Sequence, residues 1–122
     1  MKLTRKVEGD CIQLADDTNV IFTMKEIKED NYVTVILEGS LRSDVVYDFQ
    51  DEMVTLALFG LDLKLNFSAV TYLSSACAKA LLEIQQKMDS IGKGSLVLLK
   101  IPEVILKELE STGLSELLMI ED

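Results

Sequence analysis

The sequence predicts a single α/β domain with a mixed, mainly parallel sheet, helices mostly on one face and an N-terminal β-hairpin. Its 122 residues, 48% of them hydrophobic, are enough for one core. After two β-type runs, the periodicity reads helix, strand, helix, strand, helix, which is typical of α/β domains whose later strands are parallel. One of those strands has a polar face, so we expect the helices mainly on the other face.

The first elements are predicted to form the hairpin. "VIFTMKEI" (20–27) and "YVTVILEG" (32–39) are alternating runs rich in β-branched residues, and a short polar segment separates them. "CIQL" before them is interpreted as a short edge strand. We therefore expect an N-terminal extension over residues 1–19 and the domain itself over residues 20–122.

A helix and a strand follow the hairpin. Helical spacing begins at Ser43 and ends at Gly60, with an apolar face made of Val46, Phe49, Met53 and Leu56. "LDLKLNF" (61–67) then alternates strictly between apolar and polar residues. This strand is expected to have one face in the core and one in water.

Two further helices are predicted around a short buried strand, "SLVLLK". The first closes at "GKG" (92–94), and its apolar stripe consists of Cys77, Leu81, Ile84, Met88 and Ile91. The second begins near Pro102, buries Ile105 and Leu109, and ends at Gly113.

Composition argues against several classes of partner and several cellular locations. The net charge of −9 and the pI near 4.4 repel phosphate backbones, so nucleic acids and anionic membranes are poor partners. Cys11 and Cys77 lack the spacing of a redox or zinc motif, and we expect reduced thiols. No apolar run has the length of a signal peptide core or a membrane span, so we expect a cytoplasmic protein.

The residues present also argue against catalysis. The sequence contains no histidine, so a serine triad is impossible, and Ser75 and Lys79 are four apart instead of the three of a Ser-x-x-Lys pair. Cys77 lies in a first helical turn without a base or a second cysteine, and is interpreted as a core thiol. Carboxylates are scattered, and Gly60, "GKG" (92–94) and Gly113 follow predicted helices instead of strands, so we expect no metal, cofactor or enzyme activity.

Ser74 and Ser75 stand where the helix that closes at "GKG" (92–94) is expected to begin. One reading makes one of them an ordinary N-cap whose hydroxyl accepts a backbone N–H. The other makes this a phosphate acceptor site, because helix N-terminal donors tolerate a dianion. Local physics does not separate the two readings.

"LNFSAVTYLSSACAKALL" (65–82) resembles the central motif of STAS domains, in particular the bacterial anti-sigma factor antagonists. That family has aspartate-serine-serine-glycine-leucine, or the variant serine-serine-alanine-glycine-leucine, at the helix start, and Ser74, Ser75 and Ala76 follow the variant. "VTVILEGSL" resembles the family's earlier strand, and "IPEVILKELESTGLSELLMI" its closing helix, turn and last strand. The resemblance extends from about residue 20 to the end.

The resemblance implies a non-enzymatic partner switch. In the family, an anti-sigma factor that is also a serine kinase, of the histidine-kinase-like ATPase superfamily, phosphorylates the serine that maps onto Ser75. The unmodified antagonist binds the kinase and frees the sigma factor, the phosphorylated form is released, and a phosphatase resets it. The implied partner-binding residues are Arg42, Ser74, Ser75, Ala76, Cys77 and Lys79.

Three departures from the family pattern keep an alternative open, and the first, Ser74 in place of the aspartate, is one that the variant tolerates. Cys77 and Ala78 replace the glycine and leucine, and Arg42 stands where many members have an acidic residue. The alternative is a degenerate STAS domain that serves as a non-phosphorylated scaffold or as a subunit of a larger complex.

Overall fold

The computed structural model describes residues 3–121, which form a seven-stranded sheet with three α-helices. Of the predicted segments 1–19 and 20–122, residues 1, 2 and 122 lie outside the described residues. The strands are β1 (Thr4–Glu8), β2 (Cys11–Ala15), β3 (Val20–Lys28), β4 (Tyr32–Leu41), β5 (Asp62–Leu73), β6 (Leu96–Leu99) and β7 (Met119–Glu121). The helices are α1 (Val46–Ala57), α2 (Ser75–Ile91) and α3 (Glu103–Ser111), and 3-10 turns span Ser43–Val45 and Leu114–Glu116.

The strands lie side by side in their order along the chain. The pairings from β1 to β4 are antiparallel, and those from β4 to β7 are parallel. The predicted hairpin corresponds to β3 and β4, and the predicted α/β class with parallel later strands is confirmed. The prediction of "CIQL" as an edge strand is wrong in one respect, because β1 pairs with the outer side of β2 and forms the edge itself.

One face of the sheet packs against all three helices, as predicted. On β5, Leu63, Leu65 and Phe67 are fully buried, whereas Lys64 and Asn66 on the other face are half-buried. Phe22 of β3 meets Phe49 of α1 edge to face, with ring centroids 6.1 Å apart. A single hydrophobic core therefore holds the helices against one side of the sheet.

Strand β5 extends six residues beyond the predicted end at Phe67. Its pairing with β4 shifts register twice, and after Phe67 the buried positions are Val70 and Leu73. Gly39 of β4 lies within this irregular region at φ +102°, and a Cβ there would sit 2.3 Å from the carbonyl oxygen of Ile21. Only glycine allows β3 and β4 to approach so closely at this point.

The parallel pairing of β4 and β5 brings two chain segments together at the carboxyl edge of the sheet. Leu41 and Leu73, the last residues of the two strands, are register partners. The backbone N–H of Ser74 donates to the carbonyl oxygen of Leu41 at 2.9 Å. Arg42 and Ser74 therefore leave the sheet side by side.

Candidate functional site

Ser74 is the N-cap of α2. Its backbone is extended (φ −73°, ψ 160°), and its hydroxyl oxygen accepts a hydrogen bond from the backbone N–H of Cys77 at 3.2 Å. Its carbonyl oxygen accepts the first intrahelical bond from Ala78 at 2.9 Å. With 7% of its surface exposed, Ser74 has a structural role that the sequence left open between the two serines.

Ser75 is the first residue of α2 and is exposed. Within residues 3–121, no hydrogen bond engages its hydroxyl. It lines a shallow depression of about 270 Å³ between the end of β5 and α3, together with Thr71, Tyr72, Leu73, Val104, Ile105 and Glu108. Tyr72 is 54% and Val104 is 77% exposed, so apolar side chains border this hydroxyl.

Arg42 directly follows β4, and Cys77 Sγ lies 3.3 Å from its carbonyl oxygen, which places its backbone beside the start of α2. Its Nε donates to Asp44 Oδ1 at 3.0 Å, and a second bond joins Nη2 to Oδ2. This pairing lowers the pKa of Asp44 and raises that of Arg42, which also feels the charge of Asp16. Arg42 is thus a cation beside the helix start that is already held by one carboxylate.

Cys77 is fully buried beneath the start of α2. Its Sγ lies 3.3 Å from the backbone carbonyl oxygen of Arg42, as a thiol donor would. Burial raises the pKa of the Cys77 thiol, only partly opposed by its contact with Ser74. The neutral thiol is therefore the favoured form, which is the opposite of what a cysteine nucleophile needs.

The six residues of the predicted partner surface differ in accessibility. Ser75, Ala76 and Lys79 are exposed, and Arg42 is half-exposed. Ser74 and Cys77 are buried directly below them. The structure brings all six to one end of α2.

Sequence reasoning missed the contribution of β5 and α3 to this surface, namely Tyr72, Val104 and Glu108. One indication was available for Val104, an apolar residue outside the core face defined by Ile105 and Leu109. That α3 packs beside β5, with Val104 and Glu108 bordering the depression that Ser75 lines, depends on tertiary structure, and no local pattern indicates it.

A second polar cluster lies under α1. Glu26 of β3 is only 6% exposed, and among residues 3–121 its Oε2 has no hydrogen-bond partner. Burial, together with the neighbouring Glu52, raises the pKa of Glu26 to about 8. Glu52 in turn accepts a hydrogen bond from Arg5 of β1 at 3.0 Å.

The part of the chain that the structure describes contains neither a cluster of metal ligands nor a helix that could span a membrane. Across residues 3–121, no three histidine, cysteine or acidic side chains are grouped so that they could hold a metal ion. In the same part of the chain, every helix is too short or too polar to cross a membrane. Cys11 and Cys77 are both free thiols.

The fold and the site define an α/β domain of the kind that the motif at 65–82 implied, with adjacent serines at the carboxyl edge of a parallel strand pair. A family model described as "Mlab, STAS domain" matches residues 24–121. The chain therefore belongs to the STAS domain family, which confirms the resemblance.

Solved structures of anti-sigma factor antagonists share this fold. The antagonist from Mycobacterium paratuberculosis superposes with a TM-score of 0.72 at 16% identity, over 81% of this chain and 84% of that one. The putative antagonist from Thermotoga maritima gives 0.71 at 20% identity, over 81% and 86%. Phosphorylated SpoIIAA from Bacillus gives 0.62 at 17% identity, over 81% and 91%. No curated protein matches the sequence itself.

Proposed function

We propose that this protein is an anti-sigma-factor-antagonist-like partner switch that binds a kinase-type anti-sigma factor and is released when Ser75 is phosphorylated. The observation that carries the proposal is the division of roles between adjacent serines. Ser74 is buried and holds the helix cap, whereas Ser75 is exposed and its hydroxyl is unengaged within residues 3–121. A kinase can therefore reach the Ser75 hydroxyl without disturbing the cap.

The modification is an ordinary phosphoryl transfer from ATP held by the kinase. The Ser75 oxygen attacks the γ-phosphorus, a new O–P bond forms, and the bond from that phosphorus to the β–γ bridging oxygen breaks. ADP leaves, and the hydroxyl proton passes to a base of the kinase. The product is a dianion at the first position of α2, where the helix dipole favours negative charge, so the domain stays folded.

The proposed partner surface consists of Ser75, Ala76 and Lys79 with Tyr72 and Val104 beside them. All five are exposed, and the last two are large apolar side chains that lose contact with water when a partner covers them. Phosphate added in the middle of such a contact introduces charge that must be desolvated, which weakens binding. Arg42 borders this surface, while Ser74 and Cys77 support it from below.

In this proposal the chain is a substrate and a binding partner, not an enzyme. The absence of histidine from the sequence and the raised pKa of Cys77 support that role. An ATP-dependent kinase and a sigma factor act in the bacterial cytoplasm, where a phosphatase would reset the switch. The function is assigned to residues 20–122, with 1–19 as an extension whose strands β1 and β2 lengthen the sheet.

The proposal is tested by incubating the protein with ATP and a histidine-kinase-like ATPase encoded beside its gene. Intact mass and fragment analysis should find one phosphate, on Ser75. Ser75→Ala should accept none, and Ser74→Ala, which keeps the acceptor, should still be modified. A kinase that binds the protein and hydrolyses ATP but leaves Ser75 unmodified would contradict the proposal.

A non-phosphorylated scaffold is the second candidate. It is favoured by one observation, that Ser75 shares its depression with the carboxylate of Glu108, which would oppose a phosphate there. A scaffold would hold its partner equally well with and without ATP. Its affinity would also be the same for the parent and for Ser75→Asp.

A further inference from the structure

We propose that a phosphate on Ser75 is bound within this chain by Arg42, which leaves Asp44 to do so. The inference rests on the proposed function in taking Ser75 as the modified residue. Arg42 would recognise the modification inside the domain. In the sequence, Arg42 stands out only as a departure from the family pattern.

Arg42 and Ser74, the residue before Ser75, leave the sheet from adjacent strands. Leu41 and Leu73 are register partners on adjacent parallel strands, which run about 4.8 Å apart. The residues that follow them stay together, since Ser74 N–H bonds to the Leu41 carbonyl and Cys77 Sγ lies 3.3 Å from the Arg42 carbonyl. The long arginine side chain therefore starts next to the helix turn that carries Ser75.

The charges around Ser75 differ in sign, with Glu108 near it on α3 and Arg42 near it after β4. Glu108 of α3 lines the same depression as Ser75, and its negative charge repels a phosphate there. Arg42 lies on the β4 side, where Asp44 and Asp16 are its acidic neighbours. The other nearby cation, Lys79, lies one turn along α2 from Ser75. A phosphate is therefore driven away from α3 and towards Arg42.

A phosphate on Ser75 is a stronger partner for Arg42 than Asp44 is. The side chains of Arg42 and Asp44 are 38% and 34% exposed, and ion pairs so open to solvent are weak. A phosphoserine carries about −1.5 to −2 charges and three acceptor oxygens, against the single charge of Asp44. The planar guanidinium fork fits a phosphate with two parallel bonds, which the ammonium group of Lys79 does not.

The consequence of this exchange is a change at a second place. Asp44 lies in the 3-10 turn that leads into α1, and the exchange leaves its carboxylate without the arginine. Phosphorylation at the start of α2 would thereby uncover a negative charge at the start of α1. A partner would then meet two altered charges instead of one.

The test uses the full chain with phosphoserine installed at position 75 by genetic code expansion, so that no kinase is needed. The second pKa of the phosphate, ordinarily about 6, is measured by phosphorus NMR. Arg42→Gln should raise that pKa by about 0.5 to 1 unit, and the control Lys79→Gln should raise it clearly less. The Nε–H signal of Arg42 should also move when phosphoserine replaces serine.

A double-mutant cycle separates a direct contact between Arg42 and the phosphate from the general electrostatic field of the domain. Asp44→Asn should lower the phosphate pKa more in the parent background than in Arg42→Gln, because only the parent has a competing pair to release. Equal effects of Arg42→Gln and Lys79→Gln, or an unmoved Arg42 signal, would overturn the inference. Failure of a kinase to modify Ser75 would instead contradict the proposed function and leave this measurement intact.

Discussion

The hydroxyl oxygen of Ser74 lies 3.2 Å from the backbone nitrogen of Cys77, and this hydrogen bond closes the first turn of α2. Cys77 is thereby held with its thiol against the Arg42 carbonyl, in the core below the exposed Ser75. A structural serine and a solvent-facing serine are consecutive residues, so substitutions can separate the stability of the domain from the proposed regulation at Ser75.

The cap gives the first prediction. Ser74→Ala should lower the free energy of unfolding by about 1 kcal/mol, because a buried backbone N–H loses its acceptor. Ser75→Ala should change it by less than about 0.5 kcal/mol. Urea denaturation measures both, and a larger loss at Ser75 than at Ser74 would mean that the cap is wrongly assigned.

The second prediction concerns the packing of α2. Leu81 is fully buried, so Leu81→Ala should lower the free energy of unfolding by roughly 2–5 kcal/mol. Lys79 is exposed on the same helix, and Lys79→Ala should lower it by less than about 0.5 kcal/mol. Similar losses at both positions in chemical denaturation would show that the helix is rotated from the orientation described above.

The third prediction concerns the switch. Ser75→Asp should remain folded, since a negative charge at a helix start is neutral or stabilises by about 0.3–1 kcal/mol. It should weaken kinase binding roughly 5- to 150-fold, or about 1–3 kcal/mol, by placing a charge in a desolvated contact. Ser75→Ala should bind like the parent but not be released by ATP.

Calorimetry with the cognate kinase checks these affinities, and circular dichroism checks the fold. Ser90→Asp is the matched control, because it adds the same charge at the far end of α2, roughly 22 Å away. Undiminished binding of Ser75→Asp would support the scaffold role, and its unfolding would give Ser75 a structural role.

The fourth prediction follows from Glu26, whose pKa is raised from 4.5 to about 8 by burial and by Glu52. The folded state holds this proton more tightly than the unfolded state. The stability it contributes is therefore complete below about pH 4.5 and is lost as the pH rises towards 8.

Glu26→Gln should remove that part of the pH dependence and become more stable than the parent at pH 8. Urea unfolding at pH 5, 6.5 and 8 measures the difference, with the exposed Glu29→Gln as the control. Parallel pH profiles for the parent and Glu26→Gln would show that Glu26 is ionised in the folded state.

The fifth prediction concerns the close approach of β3 and β4. Gly39→Ala should destabilise the domain more than Gly9→Ala, although both residues have positive φ. A Cβ on Gly39 meets the Ile21 carbonyl at 2.3 Å, whereas one on Gly9 meets no atom within 4 Å. Thermal unfolding compares the two, and equal losses would show that backbone strain alone matters at Gly39.

Most of the fold could be predicted because its core elements carry strong periodicity. Apolar residues recur at helical spacing in the helices that bury Phe49 and Leu81. In the strand through Leu65, apolar and polar residues alternate. Strand β1 could not be predicted, because all five of its residues are exposed and Val7 is its only large apolar side chain. The end of β5 was missed because register shifts after Phe67 break the alternation.

The candidate site was predictable only in its local part. The motif around Ser75 located the helix start. Which serine caps the helix depends on backbone angles that the amino-acid sequence does not specify. Tyr72 and Glu108 reach the site through the packing of α3 beside β5, which is tertiary. Glu26 could have been noticed, since it shares strand parity with the buried Phe22 and Met24.

The parallel pairing of Leu41 with Leu73 means that the surface around Ser75 is assembled from distant parts of the chain. Between these residues the chain must form α1, cross back and add β5 to the sheet. A growing chain on the ribosome, or a denatured copy, carries the same serine without Arg42 or α3 beside it. A kinase that needs the whole surface would therefore modify only folded molecules. The phosphorylated fraction would then contain native protein alone.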